Sequence, residues 1–456
     1  MTDTPPAEAR REGGLAAPFR HPIAWRDEAF YDLEKVEREM ERVFDICHGC
    51  RRCFNLCDSF PRLFDLIDNG PTGEMDGVAK ADYGKVVEAC TLCDMCFMTK
   101  CPYVPPHEWD VDFPHLMLRH RAATRKVEGG KFVAEQLGET DRNGKLAKPV
   151  AGLANWATDL ANKLVRAAMD AMAGIDKTAI LPRFVGKTAG DRLKAGSAPP
   201  DPAGPAFGQR KAALFATCFV DYNTPNTALA AQAVLAKQGV ETRFAYSECC
   251  AMPKLEAGDI AAVAKSAERV VAELIPLVDA GWDIVTLTAS CGLMLKFEWP
   301  LILPENADVR RLAEATRDIS QYVLELSKAY GLAPGLTAPA DGITLHHACH
   351  ARAQNMGATS AQMLRLIPDA KVDLVERCSG HGGTFGVLKP THALAVKVGK
   401  PAARQVAQKA NASLCSDCPL ACEHLGQLVA AELPAGAAPP RQAHPIELMA
   451  EAYGLA

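Results

Sequence analysis

Residues 90–102 read Cys90-Thr-Leu-Cys93-Asp-Met-Cys96-Phe-Met-Thr-Lys-Cys101-Pro102, with three cysteines at three-residue spacing and a fourth before a proline. An earlier stretch has a similar pattern and reads Cys47-His-Gly-Cys50-Arg-Arg-Cys53-Phe-Asn-Leu-Cys57. A loop with a thiolate at every third residue can wrap three corners of one iron-sulfur cubane, while the fourth cysteine reaches a neighbouring cluster. The two runs therefore predict two [4Fe-4S] clusters.

The pattern of two-cluster ferredoxins, in which the fourth cysteine of each run ligates the other cluster, also predicts how the eight cysteines divide. Two details depart from that pattern: Asp58 replaces the usual proline, and four residues separate the last two cysteines of the second run. The expected ligands of one cluster are Cys47, Cys50, Cys53 and Cys101. The expected ligands of the other cluster are Cys90, Cys93, Cys96 and Cys57.

A structural zinc protein is the alternative interpretation of these runs. Cys-x-x-Cys is also a zinc motif, but a zinc ribbon needs paired rather than tripled cysteines. The tripled spacing favours iron-sulfur clusters.

Helical periodicity leads into each cysteine run. Apolar residues recur at three- and four-residue steps within residues 27–44, and a second helical stretch covers residues 78–89. The pattern predicts a small helical ferredoxin-like domain over residues 27–125. A mobile polar tail is expected to precede it over residues 1–26.

Residues 126–209 contain no cysteine and are predicted to form a connector. A helix is expected over residues 153–172, where Trp156, Leu160 and Leu164 would form an apolar face. Such a face packs on the rest of the protein or lies on a membrane surface. The second alternative would place the chain peripherally at the inner face of the membrane.

From residue 210 onward, short apolar runs alternate with helical runs, which is typical of parallel α/β architecture. Two similar halves, residues 210–338 and 339–456, form an internal repeat. The predicted strands are 212–217, 242–246, 284–288, 343–347, 372–375 and 412–414. The predicted helices are 226–238, 260–278, 359–367 and 393–409. The expected fold class is a multidomain α+β protein, with the helical two-cluster domain followed by two repeated parallel α/β domains.

Cysteines follow the predicted strands of both halves. In the first half they are Cys218, Cys249 and Cys291, and in the second they are Cys349, Cys378 and Cys415. Ligand sites of open parallel sheets lie beyond the carboxyl ends of the strands, so one metal site is expected in each half. The alternative is that each is an ordinary buried cysteine.

Several motifs resemble the cysteine-rich CCG-domain family of iron-sulfur oxidoreductases. This family includes iron-sulfur subunits of anaerobic glycerol-3-phosphate dehydrogenase and of glycolate oxidase, as well as heterodisulfide reductase subunits. Besides the two cysteine runs, the motifs are Thr-Cys218-Phe-Val-Asp-Tyr-Asn, Glu-Cys249-Cys250-Ala-Met-Pro, Ala-Ser-Cys291-Gly, His-Ala-Cys349-His, Arg-Cys378-Ser-Gly-His-Gly-Gly-Thr-Phe-Gly, Cys415-Ser-Asp-Cys418 and His444-Pro-Ile-Glu-Leu. The resemblance implies two CCG-type domains and electron transfer between a flavin or thiol partner and a quinone or disulfide.

Both halves depart from the five-cysteine set of the family. The first has a lone Cys291 where the family often has Cys-x-x-Cys, and the second has Ser379 in place of the second cysteine of its pair. Four cysteines remain in each half, which allows one or two further clusters but argues against heterodisulfide chemistry. The expected metal ligands are Cys218, Cys249, Cys250, Cys291, Cys349, Cys378, Cys415 and Cys418.

Histidines flank the second set and suggest a stand-alone enzyme as a second hypothesis. His350 and His381, with Cys378, are the catalytic candidates for reduction of a thiol, persulfide or peroxide-related substrate at an open iron site. His346 and His347 are expected to be ordinary core or supporting residues. The glycines of 380–386 are expected to let the backbone pass close to a metal centre.

Composition and the N-terminal residues indicate which partners and which cellular compartment to expect. A formal net charge of -5 gives no basic surplus, so nucleic acid is not expected as a partner. The N-terminal residues lack the apolar region of a secretory signal, so a cytoplasmic location is expected. Seventeen cysteines in that reducing compartment suit metal ligation better than disulfides. The preferred hypothesis is an electron-transfer subunit with a separate redox partner, either a flavin dehydrogenase or a rubrerythrin-like protein, and a quinone or thiol acceptor.

Overall fold

The structure is a computed structural model that describes residues 18–193, 197–339 and 341–455. The chain divides into two compact units. The first contains residues up to Lys131 together with Lys254–Ala262 and Leu301–Leu303. The second contains Phe132–Pro253, Val263–Pro300 and Pro304–Ala456.

The first unit is helical. Its helices are α1 (Leu33–Cys50), α2 (Ser59–Asp68), α3 (Tyr83–Ala89), α4 (Met95–Thr99) and α5 (Phe113–Glu128). The Asp32 carboxylate caps α1 by accepting from the Lys35 backbone N–H. The helix therefore begins later than predicted, and it extends through the first two cysteines instead of ending before them. Short 3₁₀ segments precede α1 and α3.

Residues 18–26, assigned to the mobile tail by the sequence, make specific contacts within the first unit. Ile23 is buried, and the Trp25 indole N–H donates to the Ile302 carbonyl at 2.8 Å. Residues 1–17 of the predicted tail lie outside the described residues.

The connector segment is also mostly helical. It forms α6 (Phe132–Gly138), α7 (Thr140–Ala147), α8 (Ala151–Thr158), α9 (Lys163–Ala173) and α10 (Ala189–Arg192). The single predicted helix over 153–172 is wrong, because the chain turns between α8 and α9. The Asn162 side chain caps α9 by accepting from the Val165 N–H, which fixes the new helix start.

The first α/β half has a five-stranded sheet of order β1-β3-β2-β4-β5. The strands are β1 (Ser197–Ala198), β2 (Lys211–Phe215), β3 (Glu241–Phe244), β4 (Asp283–Thr286) and β5 (Thr316–Asp318). All pairs are parallel except the edge pair of β1 with β3. The helices are α11 (Thr217–Tyr222), α12 (Pro225–Lys237), α13 (Met252–Glu256), α14 (Ile260–Asp279), α15 (Ala289–Leu293), α16 (Trp299–Ile302), α17 (Ala307–Ala315) and α18 (Ile319–Tyr330).

The second half has a parallel four-stranded sheet of order β7-β6-β8-β9. The strands are β6 (Ile343–His346), β7 (Val372–Val375), β8 (Ser413–Ser416) and β9 (Arg441–Ala443). The helices are α19 (Cys349–Ala353), α20 (Thr359–Leu364), α21 (Lys389–Lys409), α22 (Pro419–Glu432) and α23 (Pro445–Ala452). The two small parallel α/β domains predicted from the sequence are thus confirmed.

The two halves share one hydrophobic core within the second unit. Buried residues from both sheets and from α12 and α23 form a single cluster, which includes Leu214, Leu345 and Ile446. A hydrogen bond of 2.6 Å from the Thr227 hydroxyl to Glu447 joins the same two helices. The shared core fixes the two strand-end regions relative to each other.

Candidate metal centres

Helix α1 places the first two cysteines of the first run on one face. Cys47 and Cys50 are three residues apart near the end of α1, so their side chains point in similar directions. Arg51 ends the helix in a left-handed conformation (φ 53°), and the chain turns there towards Cys53. Cys101 completes the group from the second run. All four cysteines line one pocket, together with Phe60, Pro102, Tyr103 and Val111.

The electrostatic interactions of the Cys47 thiol identify the same cysteines as its neighbours. Burial raises the pKa of the Cys47 thiol, and the nearby thiols of Cys101, Cys53 and Cys50 raise it further. Burial likewise raises the pKa of Cys53 to about 12 and that of Cys101 to about 11. Neighbouring thiols, three of which have raised pKa values, suit a positively charged metal group that would stabilise their thiolate forms.

The second set also lies together in the first unit. Burial raises the pKa of Cys96, and Cys93, Cys90 and Cys57 act on it in the same direction. Cys53 of the first set acts on Cys96 as well, so the two groups of thiols are neighbours. Which thiols lie together is therefore as the sequence expected, and ligation itself stays a prediction.

An ion pair holds the loop between two cysteines of the second set. Asp94 lies between Cys93 and Cys96, adopts a left-handed backbone conformation (φ 62°) and is 4% exposed. Arg20 forms two hydrogen bonds to its carboxylate, at 2.7 and 3.0 Å, and a third to Asp112 at 2.9 Å. Because the pair is buried and bidentate, Arg20 is expected to hold the cysteine loop in place.

Replacement of Arg20 by alanine should lower the free energy of unfolding of the first unit by about 3 kcal/mol, because it leaves the Asp94 carboxylate buried without its partner. Urea unfolding of anaerobic protein, followed by circular dichroism, measures this change. Arg38→Ala is the matched control, since Arg38 pairs with Glu34 on the exposed face of α1 and should contribute about 0.5 kcal/mol or less. Equal losses in both variants would contradict the assigned role.

Four cysteine thiols meet beyond the strands of the first α/β half. Cys218 lies at the start of α11, and its sulfur is 3.7 Å from that of Cys249. Interactions with the thiols of Cys249 and Cys291 raise the pKa of the buried Cys250 thiol. The hydrogen bond between Cys218 and Cys249 lowers the pKa of Cys249 and raises that of Cys218. A set of four adjacent thiols matches the donor chemistry of a sulfur-ligated cluster.

The connector contributes to this site, which the sequence did not indicate. Asp141 on α7 accepts a 2.7 Å hydrogen bond from the Cys249 backbone N–H and another from the Tyr246 hydroxyl. The buried Thr140 hydroxyl lies beside the thiols of Cys218 and Cys249. Burial raises the pKa of Asp141 to about 6. Short polar stretches such as α7 have no periodic signal that would reveal such contacts from sequence.

Asp141→Ala should destabilise the second unit by about 2 kcal/mol, because two buried donors lose their acceptor. Iron in the first-half site should also be lost faster to a chelator, since Cys249 would no longer be fixed. Thermal unfolding and the rate of iron release to bathophenanthroline measure the two effects. Asp159→Ala is the control, because Asp159 is a half-exposed connector carboxylate that pairs with Arg183. A release rate equal to that of the control would contradict the role of Asp141.

The second half brings fewer thiols together. Cys349 and Cys378 share a hydrogen bond that lowers the pKa of Cys378. Cys415, predicted to follow a strand, lies within β8 and is fully buried in the hydrophobic core. The thiol that acts most strongly on Cys418 is Cys291 of the first half. Cys418 also packs against the alanines of α15 and α19.

The flanking histidines are buried or hydrogen-bonded, and the catalytic roles suggested for His350 and His381 stay a prediction. His346 is buried and bonds to the Ser416 hydroxyl and the Arg377 carbonyl, both at 3.0 Å, and burial lowers its pKa to about 4. His350 lies 2.8 Å from the Ser290 hydroxyl, and burial lowers the pKa of His381 to about 3. The lowered pKa values of His346 and His381 favour the neutral form of both imidazoles at neutral pH.

The glycine-rich loop of residues 380–386 packs closely against helix α21. Gly380 has a φ of +79°, and a side chain there would lie 2.0 Å from the Ala395 carbonyl of α21. Packing on α21 thus requires a glycine at this position, and the expected passage of the glycine loop close to a metal centre stays a prediction.

Within residues 18–193, 197–339 and 341–455, no group of three or more histidine, cysteine, aspartate or glutamate side chains is arranged to hold a single metal ion. The thiolates of a cubane each bind a different iron, so they need not converge on one point. Among the same residues, no helix is long and apolar enough to cross a membrane.

Comparison with known proteins finds the Cysteine-rich domain named CCG twice, over residues 212–296 and 343–424. A subunit of the anaerobic glycerol-3-phosphate dehydrogenase of Escherichia coli (strain K12) is 26% identical over 318 residues, which cover 68% of this chain and 76% of that protein. Lactate utilization protein A of Geobacillus sp. (strain WCH70) is 28% identical over 192 residues, covering 40% of this chain and 76% of that protein. Both matched segments of the family contain clustered cysteines of the two α/β halves.

Proposed function

We propose, from the premise that this chain belongs to the CCG cysteine-rich domain family, that it transfers electrons between a partner dehydrogenase and a second acceptor. The observation that carries the proposal is the grouping of twelve thiols into three sets of four, two in the first unit and one in the first α/β half. The relatives include a protein named as a dehydrogenase subunit, which supports a redox role with a partner.

The proposed cofactors are two [4Fe-4S] clusters in the first unit and one further iron-sulfur cluster in the first α/β half. Such clusters supply one-electron transfer at potentials set by hydrogen bonds, burial and net charge. The chain's own residues bury the thiols, hold their loops through Arg20 and Asp141, and keep the first two sets adjacent through Cys53 and Cys96.

The proposed partner is a flavin dehydrogenase, because the chain has no glycine-rich nucleotide fingerprint after a strand. The proposed acceptor is a quinone. An acceptor dissolved in a membrane agrees with the apolar surface that α8 and α9 expose.

We also propose peripheral membrane association through α8 and α9. Trp156, Leu164 and Met172 are 59%, 86% and 87% exposed, and Leu153 and Leu160 add to the same segment. An exposed row of large apolar side chains on short helices is typical of interfacial binding. Sedimentation with phosphatidylglycerol vesicles tests this proposal. Trp156→Ser with Leu164→Ser should weaken binding at least about tenfold, whereas the exposed Phe132→Ser should not; wild-type protein that stays in the supernatant would refute it.

Iron, acid-labile sulfide and zinc per chain, measured on anaerobically purified protein, test the central proposal. About twelve irons with equal sulfide are expected, along with EPR signals that appear on dithionite reduction and disappear on addition of menadione. About eight irons would confine the redox chemistry to the first unit. Zinc without iron would refute electron transfer and support the structural zinc alternative.

A further inference from the structure

Within residues 341–455, the cysteines of the second α/β half are not grouped into a set of four thiols like that of the first half. Ser379 occupies the position of Cys250, is buried, and accepts from the His381 N–H at 3.4 Å. In the second sheet, Cys415 of β8 pairs with Leu345 of β6. In the first sheet, Val285 of β4 pairs in the same way with Leu214 of β2, and Val285 is a core residue. Cys415 and Val285 therefore hold equivalent core positions in the two sheets, and Cys415 is not placed as a metal ligand.

Two thiols remain together at this position. Cys349 and Cys378 each lie three residues beyond His346 and Val375, which pair in the adjacent parallel strands β6 and β7, and both cysteines are partly exposed. The Gly380 N–H donates to the Cys378 sulfur at 3.3 Å, an approach that the left-handed glycine allows. The Arg352 guanidinium adds a positive charge nearby. A backbone N–H donor to the sulfur and a positive charge nearby are surroundings in which a cysteine can act as a nucleophile.

We infer that Cys349 and Cys378 form a redox-active dithiol that exchanges with low-molecular-weight disulfides, in place of a second-half cluster. Cys415 lies in the core, and the thiol that acts on Cys418 is Cys291 of the first half. The remaining two thiols and a serine do not fit a four-thiolate group, whereas two neighbouring, partly exposed thiols fit a dithiol–disulfide pair. This inference does not depend on electron transfer through the other sites, since exchange needs only a thiol and a disulfide.

The exchange balances without another reactant. The Cys378 thiolate attacks one sulfur of the small disulfide, which forms a mixed disulfide and releases one small thiol. The Cys349 thiol then attacks the Cys378 sulfur and releases the second small thiol. Two protein thiols are oxidised to one disulfide, one small disulfide is reduced to two thiols, and the two protons pass from the protein to the released thiols.

Peptide mapping of the full wild-type chain tests this inference. Anaerobically purified protein is incubated with reduced or oxidised glutathione, blocked with N-ethylmaleimide, digested and analysed by mass spectrometry. The peptide linking Cys349 to Cys378 should be absent in reduced glutathione and become the main form in oxidised glutathione, while iron per chain stays unchanged. Absence of the linked peptide in oxidised glutathione would overturn the inference, and this measurement depends on no variant.

Iron analysis of variants separates a dithiol from a cluster site. Cys349→Ser and Cys378→Ser should each abolish the linked peptide and leave iron per chain as in the wild type. Cys218→Ser, in the first half, should lose iron. A loss of about four irons in either second-half variant would instead make these cysteines cluster ligands and overturn the inference. Absence of iron in the wild-type protein would refute the proposed function but not the dithiol.

Discussion

Cys101→Ala is expected to remove one complete iron-sulfur cluster, with a loss of about four irons per chain. Cys101 belongs to the second cysteine run in sequence, but in space it lines the cavity of Cys47, Cys50 and Cys53. A cluster with one of four ligands missing is exposed to solvent at that corner, so loss of the whole cluster is expected rather than loss of one iron. Iron and sulfide analysis with EPR after dithionite measures the effect.

Double variants identify the cluster to which Cys101 belongs. Two substitutions in one cluster remove the same irons, so their effects should not add. Cys50→Ala with Cys101→Ala should therefore lose about four irons, as each single variant does. Cys93→Ala with Cys101→Ala should lose about eight, because these residues are assigned to different clusters.

The control for this series is Cys422→Ala, because Cys422 is a buried cysteine whose thiol hydrogen-bonds the Leu414 carbonyl in the core of the second half. It should retain all of its iron. If instead the Cys50 and Cys101 effects added, and those of Cys93 and Cys101 did not, ligation would follow the order of the sequence and the spatial grouping would be wrong.

Local spacing in the sequence accounts for the grouping of the closely spaced cysteines within each run, whereas the exchange of Cys57 and Cys101 between the runs was expected from the pattern of two-cluster ferredoxins. Cysteines three residues apart share a helix face or a tight loop whatever surrounds them. The bounds of α1 were missed because Asp32 starts the helix through a side-chain cap and Arg51 ends it with a left-handed residue. The prediction of [4Fe-4S] clusters at these positions remains to be measured.

The parallel α/β repeat was also predictable, since buried parallel strands are short apolar runs. The edge strands β5 and β9 were not, because Thr-Arg-Asp and Arg-Gln-Ala have no apolar run and become strands only by pairing with a neighbour. The contact of Asp141 with the first-half thiol site could not be predicted for a similar reason. Asp141 accepts a hydrogen bond from Cys249, more than one hundred residues later in the sequence, and composition does not indicate such a contact.

The presence of a cysteine in the sequence does not by itself distinguish a metal ligand from a core residue. A strand assigned to end at residue 414 places Cys415 beyond the sheet, whereas β8 continues to Ser416 and keeps Cys415 inside it. Free cysteine is among the residues most often buried, so a cysteine in a strand is ordinary. The register in which β8 pairs with β6 distinguishes Cys415 from the grouped thiols of the first half, and this register cannot be predicted from the sequence.

Cys250→Ala is the second substitution with a large expected effect, because it should remove all iron of the first α/β half, about four per chain. Cys250 is buried, and its thiol interacts with the thiols of Cys249 and Cys291. Its backbone carbonyl accepts from the Trp299 indole N–H at 3.2 Å, so the position of the residue is fixed by the surrounding core. Iron per chain and the EPR spectrum of the reduced protein measure the loss.

Cys415→Ala is the matched comparison for Cys250→Ala, because both replace a buried cysteine by alanine. It should retain all iron and lower the free energy of unfolding by about 1 kcal/mol, the cost of removing a small buried apolar group. Equal iron loss in both variants would make Cys415 a ligand and contradict its place in the core. Full iron retention in both would show that the first-half thiols hold no cluster, and iron would then belong to the first unit alone.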